Sequence, residues 1–131
     1  MEKITVHSTD QTEIIDITRK VQSVADKSGI NNGLCLIFVP HTTAAVTINE
    51  NADPDVKSDI LKEINKVIPF SDSYQHMEGN SAAHIKASLF GSSQSVIIQN
   101  GNLQFGTWQG IFFCEFDGPR TRQIWVSLLP S

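Results

Sequence analysis

Residues 34–56 read LCLIFVPHTTAAVTINENADPDV, and this stretch decides the fold class. Leu34 to Val39 and Ala44 to Ile48 are two strand-forming runs, and Pro40-His41-Thr42-Thr43 is the junction between them. Asp53-Pro54 then starts a helix, since an aspartate can cap free backbone N–H groups and proline suits the first helical turn. Val56, Ile60, Leu61, Ile64, Val67 and Ile68 recur on one face of that helix until Pro69 ends it. Strands next to an amphipathic helix point to an α+β protein.

Working outward, residues 3–7 and 12–17 flank the turn signal Ser8-Thr9-Asp10 and read as a β-hairpin, with Ile4 and Val6 facing one way and His7 facing solvent. Thr18 to Lys27 has Val21, Val24 and Ala25 at helical spacing, closed by Gly29 and Asn31-Asn32-Gly33. Asn80 is placed to cap a helix over Ser81 to Phe90, stopped by Gly91. Ser95 to Gln99, the turn Asn100-Gly101-Asn102, and strands over Gly110 to Phe116 and Thr121 to Leu128 complete the chain. The order β-β-α-β-β-α-α-β-β-β predicts one α+β domain over residues 1–131, with about three helices and mostly antiparallel sheets. If Gly118-Pro119 forms a two-residue turn, Asp117 faces Arg120, Glu115 faces Arg122, Phe113 faces Ile124 and Ile111 faces Val126.

Composition narrows the function classes. The 131 residues carry 14 acids against 10 bases, and basic residues do not cluster enough to neutralise a run of phosphates, so no nucleic-acid partner is expected. No apolar run approaches a membrane span and no secretory signal opens the chain, so a soluble, cytoplasmic protein without a membrane partner is expected. A chain of this size buries roughly two thirds of its unfolded surface without needing a structural metal or disulfide. Cys35 and Cys114 lie in apolar strand runs and are expected as buried, inert thiols.

Chemistry-bearing residues fall into three groups. His41, His76 and His84 lie in polar junctions, and imidazoles from separate segments can form an open three-ligand metal site; isolated, hydrogen-bonded histidines are the alternative. Asn49-Glu50-Asn51-Ala52-Asp53-Pro54-Asp55 offers oxygens for a hard cation such as Mg²⁺ or a general base, while helix capping already accounts for Asp53 and Asp55. Arg120 and Arg122 are either a fork for phosphate or partners of nearby acids, and pairing suits Arg122 better. Trp108 and Gln109 offer a ring to stack on and an amide to read a heterocycle, against core or interface packing, and the helix start at Asn80 offers an anion seat.

Taken together, Pro40-His41-Thr42-Thr43-Ala44-Ala45-Val46, Asn49 to Val56, His76-x-Glu78-Gly79-Asn80-x-x-Ala83-His84, Gly106-Thr107-Trp108-Gln109 and Glu115-x-Asp117-Gly118-Pro119-Arg120-x-Arg122 resemble the YjbQ-like family, associated with a secondary thiamine-phosphate synthase activity. The resemblance implies a β-sandwich-like sheet system, a homotrimer, and a gathering of His41, His76 and His84 that holds a metal or an anion. The implied reaction couples a hydroxymethylpyrimidine diphosphate to a thiazole phosphate. His41, Glu50, His76, His84 and Arg120 would be catalytic, and Asn49, Asn51, Asn80, Trp108, Gln109 and Arg122 would bind the phosphorylated metabolite. A divalent metal would be Zn²⁺ or another transition metal on the histidines, or Mg²⁺ on oxygens. A metal-dependent hydrolase, with Glu50 or Glu78 as base, and a non-enzymatic trimeric binding module are the alternatives.

Overall fold

A computed structural model describes residues 1–131. Strands β1 (Glu2–His7) and β2 (Glu13–Asp16) precede helix α1 (Thr18–Ser28), and β3 (Gly33–Phe38) and β4 (Ala44–Glu50) precede helices α2 (Pro54–Val67) and α3 (Ser81–Phe90). Strands β5 (Ser93–Gln99), β6 (Asn102–Leu103), β7 (Gln109–Glu115) and β8 (Thr121–Pro130) end the chain. All pairings are antiparallel, in a five-stranded sheet of order β1-β8-β3-β5-β6 and a three-stranded sheet of order β2-β7-β4. This is the α+β arrangement expected, with three helices and one more strand, the two-residue β6.

The two sheets face each other across a cluster of 16 buried residues, among them Val6, Ile37, Val46, Ile111, Phe113, Ile124 and Val126, and α1 closes it with Val21 and Ala25. A second cluster of 7, including Ala45, Ala83, Phe112, Cys114 and Phe116, lies between the three-stranded sheet and the helices. Strand β7 is therefore covered on both faces, which is why Ile111 to Cys114 is apolar without alternation. At about 1.5–3 kcal/mol per buried large aliphatic or aromatic side chain, the larger cluster makes the sandwich the main source of stability. Helix α2 has no fully buried residue, and Val67, expected on its inner face, is 70% exposed. It is tied down by Asn65, whose amide donates to Thr12 Oγ1 at 3.1 Å and accepts from buried Lys86 Nζ at 2.6 Å. Burial pushes the Lys86 ammonium down to about 8.

Both expected hairpins are corrected. β1 pairs with β8 and β2 with β7, so the segment after His7 crosses from one sheet to the other. The turn residue Ser8 is buried and bonded to Glu115 and Arg120, which draws the chain across the sandwich instead of back along β1. Likewise β7 and β8 lie in different sheets: Phe113 faces Ile15 and Val46, whereas Ile124 faces Ile4. The two acid–base pairs nevertheless form, Asp117 with Arg120 at 3.1 Å and Glu115 with Arg122, across the corner of the sandwich. Strands β3 and β4 also separate into the two sheets at the Pro40 to Thr43 junction.

Glu115 and Arg122 are 0% and 3% exposed, so neither charge has water to solvate it. Burial alone would raise the Glu115 carboxyl, but hydrogen bonds from Arg122, Ser8 and the Asp117 amide outweigh it and hold the group below its ordinary value. Its contribution is then fully present above the unfolded carboxyl value and is lost as pH falls through the folded one. Arg122→Met, which strands a buried carboxylate, should cost about 3–5 kcal/mol in urea unfolding at neutral pH, and Glu115→Leu added to it should recover part of that loss. The single-variant deficit should shrink on acidification, because an unpaired Glu115 takes up a proton.

Candidate active site

Three loops meet at the end of the sandwich where β4 begins, and the buried ion pair holds all three. Glu115 accepts from Ser8 Oγ at 2.7 Å, from the Asp117 amide at 3.0 Å and from Arg122 Nε at 2.9 Å. Arg122 Nη2 contacts the same carboxylate and donates to Thr43 Oγ1 at 2.8 Å, fixing the segment that carries His41. Arg122 is thus a positioning residue rather than a fork for ligand. Arg120 is half exposed, with Nε donating to the Asp117 carbonyl at 2.8 Å and Nη2 to its carboxylate. Asn80, at the N-cap position of α3, makes no side-chain cap bond; its amide donates to Asp117 Oδ2 at 3.0 Å and ties the helix to the loop.

These loops open on a cavity of about 380 Å³ lined by His41, Thr42, Ala44, His84, Ala87, Ser88, Gly91 and Ser92. His84 and Ser88 share a helix face through four-residue spacing, while Ala83 and Ala87 are small enough to let α3 close on β4. His84 also borders a second depression of about 380 Å³ with Tyr74, Gln75, His76 and Ser81, so the three histidines run in the order His41, His84, His76. The His76 and His84 rings meet edge to face at 5.3 Å, and His76 Nε2 lies 3.8 Å from Glu78 Oε2. His41 Nε2 accepts the Gln123 amide at 2.9 Å. Burial, then the Arg122 guanidinium, lowers the His41 imidazole below its usual value.

No three side chains of His, Cys, Asp or Glu type gather closely enough to hold a metal ion. With one His41 nitrogen committed to a backbone donor, the three histidines in this arrangement do not fit a three-ligand centre. Cys35 and Cys114 are both buried, free thiols, and burial pushes them up to about 11 and about 12.

The other expected site residues lie at the far end of the three-stranded sheet. Ala44 pairs with Glu115 at the cavity end and Glu50 with Gln109 at the other, which at ~3.3 Å per residue is about 20 Å of strand. There the Asn51 backbone N–H donates to the Trp108 carbonyl at 2.9 Å, Trp108 is 61% exposed, and Gln109 Oε1 accepts the Gly106 backbone N–H at 2.8 Å. Asn49 Oδ1 accepts from the Glu50 amide, and Asp53 caps α2 by accepting the Asp55 amide at 2.9 Å. Asn51 also lines a cleft of about 530 Å³ with Asp16, Thr18, Arg19 and Lys20. One chain thus holds two separate polar ends, not one gathered site.

A family model described as UPF0047 protein YjbQ-like matches residues 2–131. The chain belongs to this family. Among YjbQ-like relatives, the UPF0047 protein YugU of Bacillus subtilis is 52% identical over 130 residues, covering 98% of each chain. The UPF0047 protein MJ1081 of Methanocaldococcus jannaschii is 49% identical, covering 97% of this chain and 92% of its own. A crystal structure of an uncharacterized YjbQ/UPF0047 protein from Clostridium acetobutylicum superposes with a TM-score of 0.97 at 53% identity, covering 98% of this chain and 100% of that one. No helix in this YjbQ-like fold is long and apolar enough to cross a membrane.

Thr42, Ser88 and Ser92 line the cavity without having been singled out from the sequence. Ser88 had a usable signal, its four-residue spacing from His84; Ser92 had none, because it joins the cavity only through the turn after Gly91. At the far end, Gly110 leaves no room for a side chain: a Cβ would collide with the Asn51 amide and come within 2.9 Å of Thr18 Oγ1. Thr18 Oγ1 in turn accepts the Ile111 amide at 2.9 Å. Gly110→Ala should therefore displace Asn51, lower stability by about 1–3 kcal/mol in urea unfolding, and shift the Trp108 indole resonance while leaving His41 and His84 unmoved.

Proposed function

We propose that this YjbQ-like protein is a thiamine-phosphate synthase-like transferase whose diphosphate group sits in the cavity between His41 and His84. One observation carries the reading: the cavity lining presents imidazoles and hydroxyls and contains no carboxylate. A donor-rich wall without acids favours an anion over a bare cation. Arg120, half exposed on the adjoining loop, adds the cationic group that a leaving diphosphate needs.

In the reaction the methylene carbon of the pyrimidine exchanges its bond to a diphosphate oxygen for one to the thiazole nitrogen, and the electron pair leaves on that oxygen. Charge develops on the leaving group, so fixed donors matter more than a strong base. The hydrolase reading gains less support, since Glu50 lies at the far end of β4 and leaves only the exposed Glu78 near a histidine. Assembly as a homotrimer is supported by the outer face of the five-stranded sheet, where Leu36, Phe38, Ile97 and Leu129 are 37%, 37%, 62% and 56% exposed.

Incubation of the protein with both substrates, with product followed by chromatography, should show turnover that falls about a hundredfold in folded His41→Ala and Arg120→Ala variants. Turnover untouched by either change would instead favour a binding module, and metal-dependent phosphate release from simple esters a hydrolase. Light scattering should return three times the chain mass, and a monomer would contradict the homotrimer.

A further inference from the structure

We infer that His41 is fixed as the Nδ1–H tautomer and serves the cavity as a hydrogen-bond donor to a phosphate-type anion, and that it is not a metal ligand. The inference deepens the reading of the cavity as an anion site and rests on it. Its origin lies in the sheet ladder. Strand β3 pairs with β8 as far as Phe38 opposite Trp125, and two further steps would set Pro40 opposite Gln123. The chain turns away at that point, and the His41 ring takes the place of the missing strand: Nε2 accepts the Gln123 amide at 2.9 Å.

A backbone N–H is only a donor, so Nε2 must offer its lone pair and the ring proton must sit on Nδ1. Histidines that bind metals show the opposite polarity, donating their second N–H to a carboxylate or carbonyl. Ligation through Nδ1 would require removing the one proton of a ring whose other lone pair is already used. Nδ1 itself has no partner in the protein, and the single buried side-chain polar atom without a partner is Asn80 Oδ1, so Nδ1 is open to solvent. The ring lines the cavity together with Thr42, His84, Ser88 and Ser92. Behind it, Arg122 is held by Glu115 and Thr43, which keeps the loop bearing His41 in place. Burial first, then the Arg122 guanidinium, lowers the imidazole against smaller opposing effects of the Gln123 amide contact and Glu115, a direction that agrees with the neutral ring the hydrogen bond requires.

The test is long-range ¹H–¹⁵N correlation NMR on uniformly labelled full-length protein at pH 7, with inorganic phosphate and then Zn²⁺ as probes. His41 should show the neutral Nδ1–H pattern, its ring protons should shift on adding phosphate, and Zn²⁺ should leave its nitrogens unmoved. His41→Asn, which keeps an N–H near the Nδ1 position, should hold phosphate within about threefold of the parent, whereas His41→Ala should lose about tenfold. An Nε2–H or doubly protonated ring, a metal-bound nitrogen shift with Zn²⁺, or equal loss in the Asn and Ala variants would overturn the inference while leaving the anion reading of the cavity intact. An Nδ1–H ring with no phosphate response anywhere in the cavity would overturn both.

Discussion

The candidate site depends on one buried ion pair. Glu115 and Arg122 come from strands in different sheets, and between them they engage Ser8, Thr43 and the Asp117 amide. Each of those partners belongs to a different loop, so the pair fixes three loop positions at once. Removal of both charges from water is tolerable only because nearly every hydrogen-bonding direction is filled. The same cluster sets the electrostatics of the cavity: Arg122 lies behind His41 and Arg120 acts on it more weakly, with Glu115 paired to the first and Asp117 to the second.

Much of the fold was legible because hydrophobic periodicity and capping are local signals. The helices over Thr18–Ser28 and Ser81–Phe90 fall where periodicity and the glycines after them put them, and Asp53-Pro54 starts its helix with a side-chain cap, whereas Asn80 holds the N-cap position without making the expected cap bond. Strand pairing was not legible. Ser8-Thr9-Asp10 and Gly118-Pro119 look like hairpin turns, yet each carries the chain from one sheet to the other, and that choice is made by a buried polar cluster assembled from distant positions. The pairs Asp117–Arg120 and Glu115–Arg122 were still read correctly, because a charge on an apolar strand face needs a counter-charge nearby whatever the topology.

The site was legible in part for similar reasons. The histidines stood out as polar interruptions in apolar segments, and two of them, His41 and His84, do share a cavity. What sequence chemistry could not supply was direction. Whether an imidazole nitrogen meets a donor or an acceptor depends on a single backbone N–H at Gln123, which no spacing rule encodes. Nor could it show that Asn49, Glu50, Asn51, Trp108 and Gln109 occupy the opposite end of the three-stranded sheet, because strand length sets that separation.

The two polar ends make separate demands on function: one is rich in donors and bordered by arginine, the other carries an exposed indole and amides. The most direct test of where phosphate chemistry takes place is a crystal structure of the protein with inorganic diphosphate. Diphosphate should lie between His41, His84 and Ser88, within reach of Arg120. Diphosphate bound instead in the cleft of Asp16, Thr18, Arg19, Lys20 and Asn51, with the His41 cavity holding only water, would contradict it.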